Sequence, residues 1–180
     1  MTSKLKTDVL ETGSGSGTIA LNNQLSGMTA DSMPSGSVVQ VVNSSYSTST
    51  STTSTTWTAS GLAATITPSS TSSKILVTVT APVYTASLGT YAAMYSIFRG
   101  SVSGTNLGHA TKGFVNLVTF ASGSVYSHTY TAISMSYMDS PATVGSQTYT
   151  IGMRSEGNSN TVQICPSSTK ATVTLTEIKG

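Results

Sequence analysis

The chain of 180 residues is long enough for one domain with a hydrophobic core and a short additional segment. It has 33 serines and 32 threonines but only 8 basic and 6 acidic side chains, and its formal net charge is +2. The basic residues are scattered and are not interleaved with aromatic residues, which argues against nucleic-acid binding, and the single Cys165 excludes an intrachain disulfide framework.

Residues 1–36 predict an extended N-terminal arm. They hold two short apolar patches separated by glycines, which is too little apolar mass to close a core alone. An arm that anchors on, or intertwines with, another subunit would bury the larger apolar side chains of this segment: Val9, Leu10, Ile19, Leu21 and Leu25. A flexible leader is the alternative interpretation. No stretch has the apolar length of a signal peptide or a membrane span, so we expect no membrane insertion.

Residues 37–180 predict short β-strands, because apolar residues recur at every second position and never at helical spacing over three turns. In "KILVTVT", Ile75, Val77 and Val79 share one face of a strand that is buried on that side. Similar alternation or apolar runs predict further strands at 37–43, 62–67, 90–98, 113–120, 131–138, 147–153, 161–165 and 171–178.

Turn-forming segments rich in Gly, Pro, Ser and Asn separate these strands, as in "TPSSTSS" at 67–73 and "DSPATVGS" at 139–146. About nine short strands without crossover helices favour antiparallel over parallel pairing. The predicted fold is therefore all-β: an antiparallel, jelly-roll-like β-sandwich over residues 37–180, preceded by the arm.

The sequence offers no clear catalytic or metal constellation. The six acidic residues are spread along the chain, and no "GxSxG" elbow accompanies its many serines. His109, His128 and Cys165 do not have zinc-ligand spacing, and no calcium-binding loop occurs. We expect a protein that is not an enzyme and has no metal or cofactor.

Aromatic side chains in or beside predicted loops are the candidates for recognition. The loops 84–91, 99–112 and 121–129 would offer stacking and hydrogen-bonding groups without concentrated charge, namely Tyr84, Tyr91, Asn106, His109 and Tyr126. Such a surface favours a neutral sugar or a protein as its ligand. For Trp57 we expect packing in the core or at a subunit interface, and for the tyrosines packing is the alternative.

Several segments in this order carry a family resemblance: "SKLKTDVLETGSGSGTIAL", "MPSGSVVQVVN", "ITPSSTSSKILV", "MDSPAT" followed by "YTI", and the terminal "EIKG". Together they resemble small tail-fibre and virion structural proteins of tailed bacteriophages, notably marine and cyanobacterial phages. The resemblance spans nearly the whole chain, although it begins directly with the short arm where a long shaft would be expected, and loops 99–113 and 121–129 carry none of it.

The resemblance implies a virion protein that forms a homo-oligomer, most simply a trimer, and that contacts other tail or capsid proteins. It implies assembly in the host cytoplasm and release with the particle. A short fibre or spike that binds a host-surface glycan or protein is one expectation, and a capsid decoration or head-fibre protein that coats or stabilises the shell is the other. A polysaccharide depolymerase is a minor alternative.

Overall fold

The computed structural model describes residues 33–121, 125–157 and 160–180, and residues 33–180 form one compact unit. The predicted anchoring residues of the arm, Val9, Leu10, Ile19, Leu21 and Leu25, lie outside the described residues, so the arm remains a prediction.

The described residues form an all-β structure whose regular elements are antiparallel strands and one short 3-10 turn, Pro166–Ser168. The strands are β1 (Val38–Tyr46), β2 (Thr50–Thr52), β3 (Thr58–Ile66), β4 (Lys74–Ser87), β5 (Tyr91–Arg99), β6 (Thr105–Asn106), β7 (Val115–Thr119), β8 (Ser127–Asp139), β9 (Gln147–Ser155), β10 (Asn160–Ile164) and β11 (Ala171–Ile178). The all-β prediction is confirmed.

The strands pair into two sheets with jelly-roll order. In sheet A, β1 pairs with β11 and β2 with β10, so that β1 and β2 lie end to end. β11 and β10 also lie end to end and pair along one side of β4, and β8 pairs along its other side. In sheet B the order is β3, β9, β5, and then β6 and β7 end to end. With each end-to-end pair counted as one strand, the described residues give the order 1-8-3-6 facing 2-7-4-5, which is a jelly roll.

The core lies between the two sheets because alternate side chains of each strand point inward. On β4, Ile75, Val77 and Val79 are fully buried, which confirms the predicted register of "KILVTVT". On the facing sheet, Tyr95 and Tyr149 supply the largest of the fully buried side chains. The buried hydroxyl of Tyr95 has a hydrogen-bond partner, since it donates to the carbonyl of Gln163 (3.0 Å).

Two buried carboxylates lie on either side of Ile75 in sheet A. Glu177 of β11 and Asp139 of β8 both pair with Ile75 in the strand register. The Glu177 carboxylate accepts hydrogen bonds from the Gln40 amide (2.6 Å), the Ser73 hydroxyl (2.6 Å), and the backbone N–H and hydroxyl of Ser69 (both 2.7 Å). These donors compensate for its complete burial.

The second carboxylate is held by a cation and a phenol. The Asp139 carboxylate accepts from the Arg99 guanidinium at 3.2 Å and from the Tyr149 hydroxyl at 2.7 Å. Burial raises the pKa of Tyr149, and its hydrogen bond to Asp139 raises the pKa further, so this phenol remains a donor at neutral pH. Both carboxylates therefore have structural partners at the same end of the core.

Candidate functional site

The longest strand pair of the molecule builds an exposed aromatic surface. β4 and β8 pair without interruption from Ile75 opposite Asp139 to Ser87 opposite Ser127. Side chains alternate between the two faces of a sheet, so Tyr84, His128 and Tyr130 point away from the core. Tyr84 lies directly opposite Tyr130, whereas His128 is two residues before Tyr130 on the same face.

Four rings form a continuous aromatic patch, which we define as Tyr84, Tyr126, His128 and Tyr130. The centroids of Tyr84 and Tyr130 are 4.5 Å apart, those of Tyr84 and His128 are 5.9 Å apart in a stacked arrangement, and those of Tyr126 and His128 are 6.0 Å apart. Tyr126 and Tyr130 are 52% and 69% exposed. The patch therefore offers ring surface to a ligand in solution.

One hydrogen bond fixes the two central rings. The hydroxyl oxygen of Tyr84 lies 2.7 Å from Nδ1 of His128. Burial raises the pKa of Tyr84, and the neighbouring Tyr130 raises it further, so the phenol is protonated at neutral pH and keeps a proton to donate. The patch is thus partly organised before any ligand arrives.

A groove of about 380 Å³ adjoins the patch on the same outer face of sheet A. It lies next to the pair formed by Tyr84 and Tyr130. Two residues away along β4 and β8 on the same face, the smaller Pro82 and Ala132 lie opposite each other. The residues that line the groove include Pro82, Tyr130, Ala132, Pro166, Ser167 and Thr169. The lining thus combines one aromatic ring with small apolar residues and three hydroxyl residues, and most of its exposed surface is apolar.

The far wall of the groove is a turn with unusual backbone geometry. Cys165, Ser167 and Ser168 all have φ between 53° and 59°, a left-handed conformation that non-glycine residues adopt at a cost of about 1 kcal/mol or more each. Thr169 stabilises the turn by donating from its hydroxyl to the carbonyl of Pro166 (2.9 Å).

Pro82 explains why the turn fits at this point of sheet A. The Pro82 carbonyl accepts from the backbone N–H of Cys165 at 2.9 Å, so this edge of the residue faces the turn between β10 and β11. A proline has no N–H to donate, so it fits where strand pairing is interrupted. On this side of β4 the pairing with β10 ends at Val83 and the pairing with β11 begins at Thr80, which leaves Pro82 in the gap. The interruption opens the groove.

The predicted recognition residues lie in three different places. Tyr84 and Tyr126 belong to the patch, although Tyr84 lies within β4 and not in a loop, because β4 continues to Ser87. Tyr91 begins β5, and its half-buried ring packs against Gly89 and Gly157 at the loop end of the sandwich.

Asn106 ends the short strand β6 and His109 lies in the loop that follows it, and both organise the backbone between β5 and β7. The Asn106 side-chain oxygen accepts from the Ser96 hydroxyl (2.6 Å) and from the Gly108 N–H (3.0 Å). Nδ1 of His109 accepts from the N–H of Lys112 at 3.1 Å. The structure does not bring these two side chains to the aromatic patch, so the three predicted loops do not form one surface.

Trp57 is half-buried and packs outside the core between the sheets, so the prediction that it lies in that core is wrong and a subunit interface stays a prediction. Its ring meets Phe98 edge to face at 5.3 Å between centroids, and its indole N–H donates to the carbonyl of Ala110 (2.9 Å). The guanidinium carbon of Arg154 lies 5.8 Å from the ring centroid. Trp57 therefore fastens the loop that contains Ala110 to sheet B.

Two members of the patch, His128 and Tyr130, were absent from the predicted recognition set. The signal that could have found them is the alternation in "SHTYTA", which places both rings on one face of a strand. Their partner Tyr84 is 44 residues from His128 in sequence, and nothing local specifies that pairing.

Within residues 33–121, 125–157 and 160–180, no three His, Cys, Asp or Glu side chains lie close enough together to hold a metal ion. In the same part of the chain no helix is long and apolar enough to cross a membrane. Burial raises the pKa of the Cys165 thiol, so this cysteine is a poor nucleophile at neutral pH.

No protein-family model matches the chain, and no curated protein matches it in sequence. Among solved structures, a chain in the "Structure of infectious bursal disease virus Gx strain" is similar with a TM-score of 0.37 and 10% sequence identity. The alignment covers 89% of the present chain and 42% of the viral chain, so the present chain spans less than half the length of that neighbour.

Proposed function

We propose that this chain is a structural protein of a tailed-bacteriophage virion, a non-catalytic component of a short fibre or spike that contacts the host surface. The observation that carries the proposal is the exposed aromatic patch on the outer face of a jelly roll. Jelly rolls serve as capsid and lectin domains, in which the strands form a rigid support for surface recognition. The family resemblance of the sequence supplies the virion context.

The surface chemistry supports a particle component that works outside a cell. Hydroxyl side chains replace ions over most of the exterior, as on the outer face of sheet A, where Thr78, Thr80 and Ser134 are exposed. Such a surface does not depend on ion pairs that salt would screen. The proposed assembly is a trimer, because threefold symmetry closes and lets identical apolar surfaces cover each other.

The location of the chain in purified particles tests this proposal. Immunogold electron microscopy with an antibody against the chain is expected to label the tail of the encoding phage. Labelling of the capsid, or absence of the chain from purified particles, would contradict the fibre assignment, and capsid labelling would favour the decoration protein.

Adsorption kinetics test the attachment half of the proposal. Phage carrying Tyr130→Ala should assemble normally and adsorb to host cells more slowly, because the most exposed tyrosine ring of the patch is lost. Phe120→Ala is the matched control, since Phe120 is 75% exposed and lies outside the patch. Equal adsorption of the wild type and both variants would contradict a role of the patch in attachment.

A further inference from the structure

The aromatic patch and the adjoining groove together have the chemistry of a carbohydrate site. The C–H groups of one face of a pyranose ring carry partial positive charge and pack on the negative face of an aromatic ring. Tyr130 presents such a face at the mouth of the groove, and Tyr84 and His128 continue the ring surface away from it. A chain of sugars could therefore extend from the groove along the patch.

The groove also offers hydroxyl groups for the equatorial hydroxyls of a sugar. Ser167 lines the groove, and within the described part of the chain its side chain makes no hydrogen bond to another protein group. The Thr169 hydroxyl donates to the carbonyl of Pro166, which leaves its oxygen free to accept. The turn that contains Ser167 and Thr169 lines the same groove as Tyr130, so their hydroxyls are the nearest hydrogen-bonding groups for a ligand that stacks on that ring.

Charge separates this site from those for other polymers. Every residue that lines the groove is uncharged at neutral pH, and the patch adds tyrosine rings and one imidazole, His128. Single-stranded nucleic acid also stacks on aromatic rings, but its phosphates require a positive groove, and this groove supplies none. Acidic or sulfated glycans would likewise lack counter-charges here.

We infer that the patch and groove bind a neutral pyranose-containing polysaccharide, with Tyr130 as the stacking platform and Ser167 and Thr169 as hydrogen-bonding groups. This inference rests on the proposed attachment function and names its ligand class. The experiment uses the purified full-length chain, so that its outcome does not depend on where the chain sits in a particle.

Affinity electrophoresis provides the test. The probes are dextran, mannan and galactan, each compared with its sulfated form. We expect retardation by at least one neutral polymer and weaker retardation by its sulfated counterpart. Tyr130→Ala should weaken the binding by about three- to tenfold, the size of one aromatic stacking contact. Phe120→Ala should bind as the wild type does.

Ser167→Ala separates stacking from hydrogen bonding, because it keeps the ring and removes the hydroxyl; we expect a smaller loss, of about two- to fivefold. The inference is overturned if no neutral polymer retards the chain, if the sulfated forms bind more tightly, or if Tyr130→Ala binds as well as the wild type. It is also overturned if Tyr130→Ala dissociates an oligomer in sedimentation velocity, since the patch would then be a subunit contact. Loss of host adsorption by Tyr130→Ala without any polysaccharide binding would preserve the attachment function and exclude the sugar.

Discussion

Single residues with special backbone or charge requirements carry much of the specificity of this fold. Gly61 lies in β3, where the pairing with β9 shifts register between Ala59 and Ala63, and it has a φ of +91°. The ring of Tyr46 occupies the space where a side chain at Gly61 would start. The position therefore requires glycine both for its dihedral angle and for the close approach of the ring.

A glycine-to-alanine pair separates these two requirements. Gly36 has a φ of +87° but open space around its Cβ position, so Gly36→Ala should cost only the dihedral term of about 1–2 kcal/mol. Gly61→Ala should cost clearly more, because Tyr46 must also move. Urea denaturation of both variants measures the two losses. Equal losses would show that the ring of Tyr46 yields without cost.

Glu177 should make the stability of the protein depend on pH under acidic conditions. Burial opposes its ionisation, but the hydrogen bonds from Ser73, Gln40 and Ser69 outweigh burial and lower its pKa in the folded state. A lowered folded-state pKa means that the carboxylate stabilises the fold above its unfolded-state pKa of about 4.3. This contribution is lost as the pH falls from about 5 through the lowered folded-state value.

Glu177→Gln provides the corresponding measurement. We expect it to lower the free energy of unfolding by about 1–3 kcal/mol at pH 7, because the buried donors would then meet an amide NH₂ in place of a carboxylate oxygen. The free energy of unfolding should also depend less on pH between 6 and 3. Glu156→Gln is the control, because Glu156 is exposed and its ion pair with Lys112 is worth about 0.5 kcal/mol or less. An unchanged pH profile in Glu177→Gln would contradict the assignment.

At the scale of elements, the alternation in β4 was sufficient to predict which face is buried. A charge at Val77 would be enclosed in the core without a partner, at a cost of several kcal/mol against a total stability of roughly 5–15 kcal/mol. Thr78→Asp is the matched control, because Thr78 is the next residue and is exposed on the outer face. We expect circular dichroism to report an unfolded Val77→Asp protein and a folded Thr78→Asp protein. A folded Val77→Asp protein would contradict the register.

The sequence identified β-strands by local alternation and missed what depends on distant pairing. β2 and β6 have three and two residues, too few to show a period, and exist because β10 and β5 offer free edges. The second half of β4 contains Pro82 and polar residues, so no apolar alternation marks it, although β8 pairs with all of it. For the same reason Tyr84 was expected in a loop, and its meeting with Tyr130 was not predicted.

At the scale of the whole molecule, the jelly roll separates the two buried carboxylates from the aromatic patch. The carboxylates of Glu177 and Asp139 meet the first residues of β4, whereas Tyr84 is near the last residues of the same strand. Along β4, the two buried carboxylates therefore lie at one end of the strand, and the rings of the aromatic patch lie towards the other. Substitutions in the patch should consequently leave the stability of the core unchanged.

The predicted arm gives the last test at this scale. Residues 33–180 form a compact unit whose buried side chains come from both sheets of the jelly roll. A chain that lacks residues 1–32 should therefore keep the circular dichroism and the thermal transition of the full chain. If the arm anchors subunits, sedimentation velocity should show a smaller species for the truncated chain than for the full chain, and the truncated chain should not incorporate into particles. An unfolded truncated chain would place the arm in the core, and an unchanged oligomer that incorporates normally would remove its anchoring role.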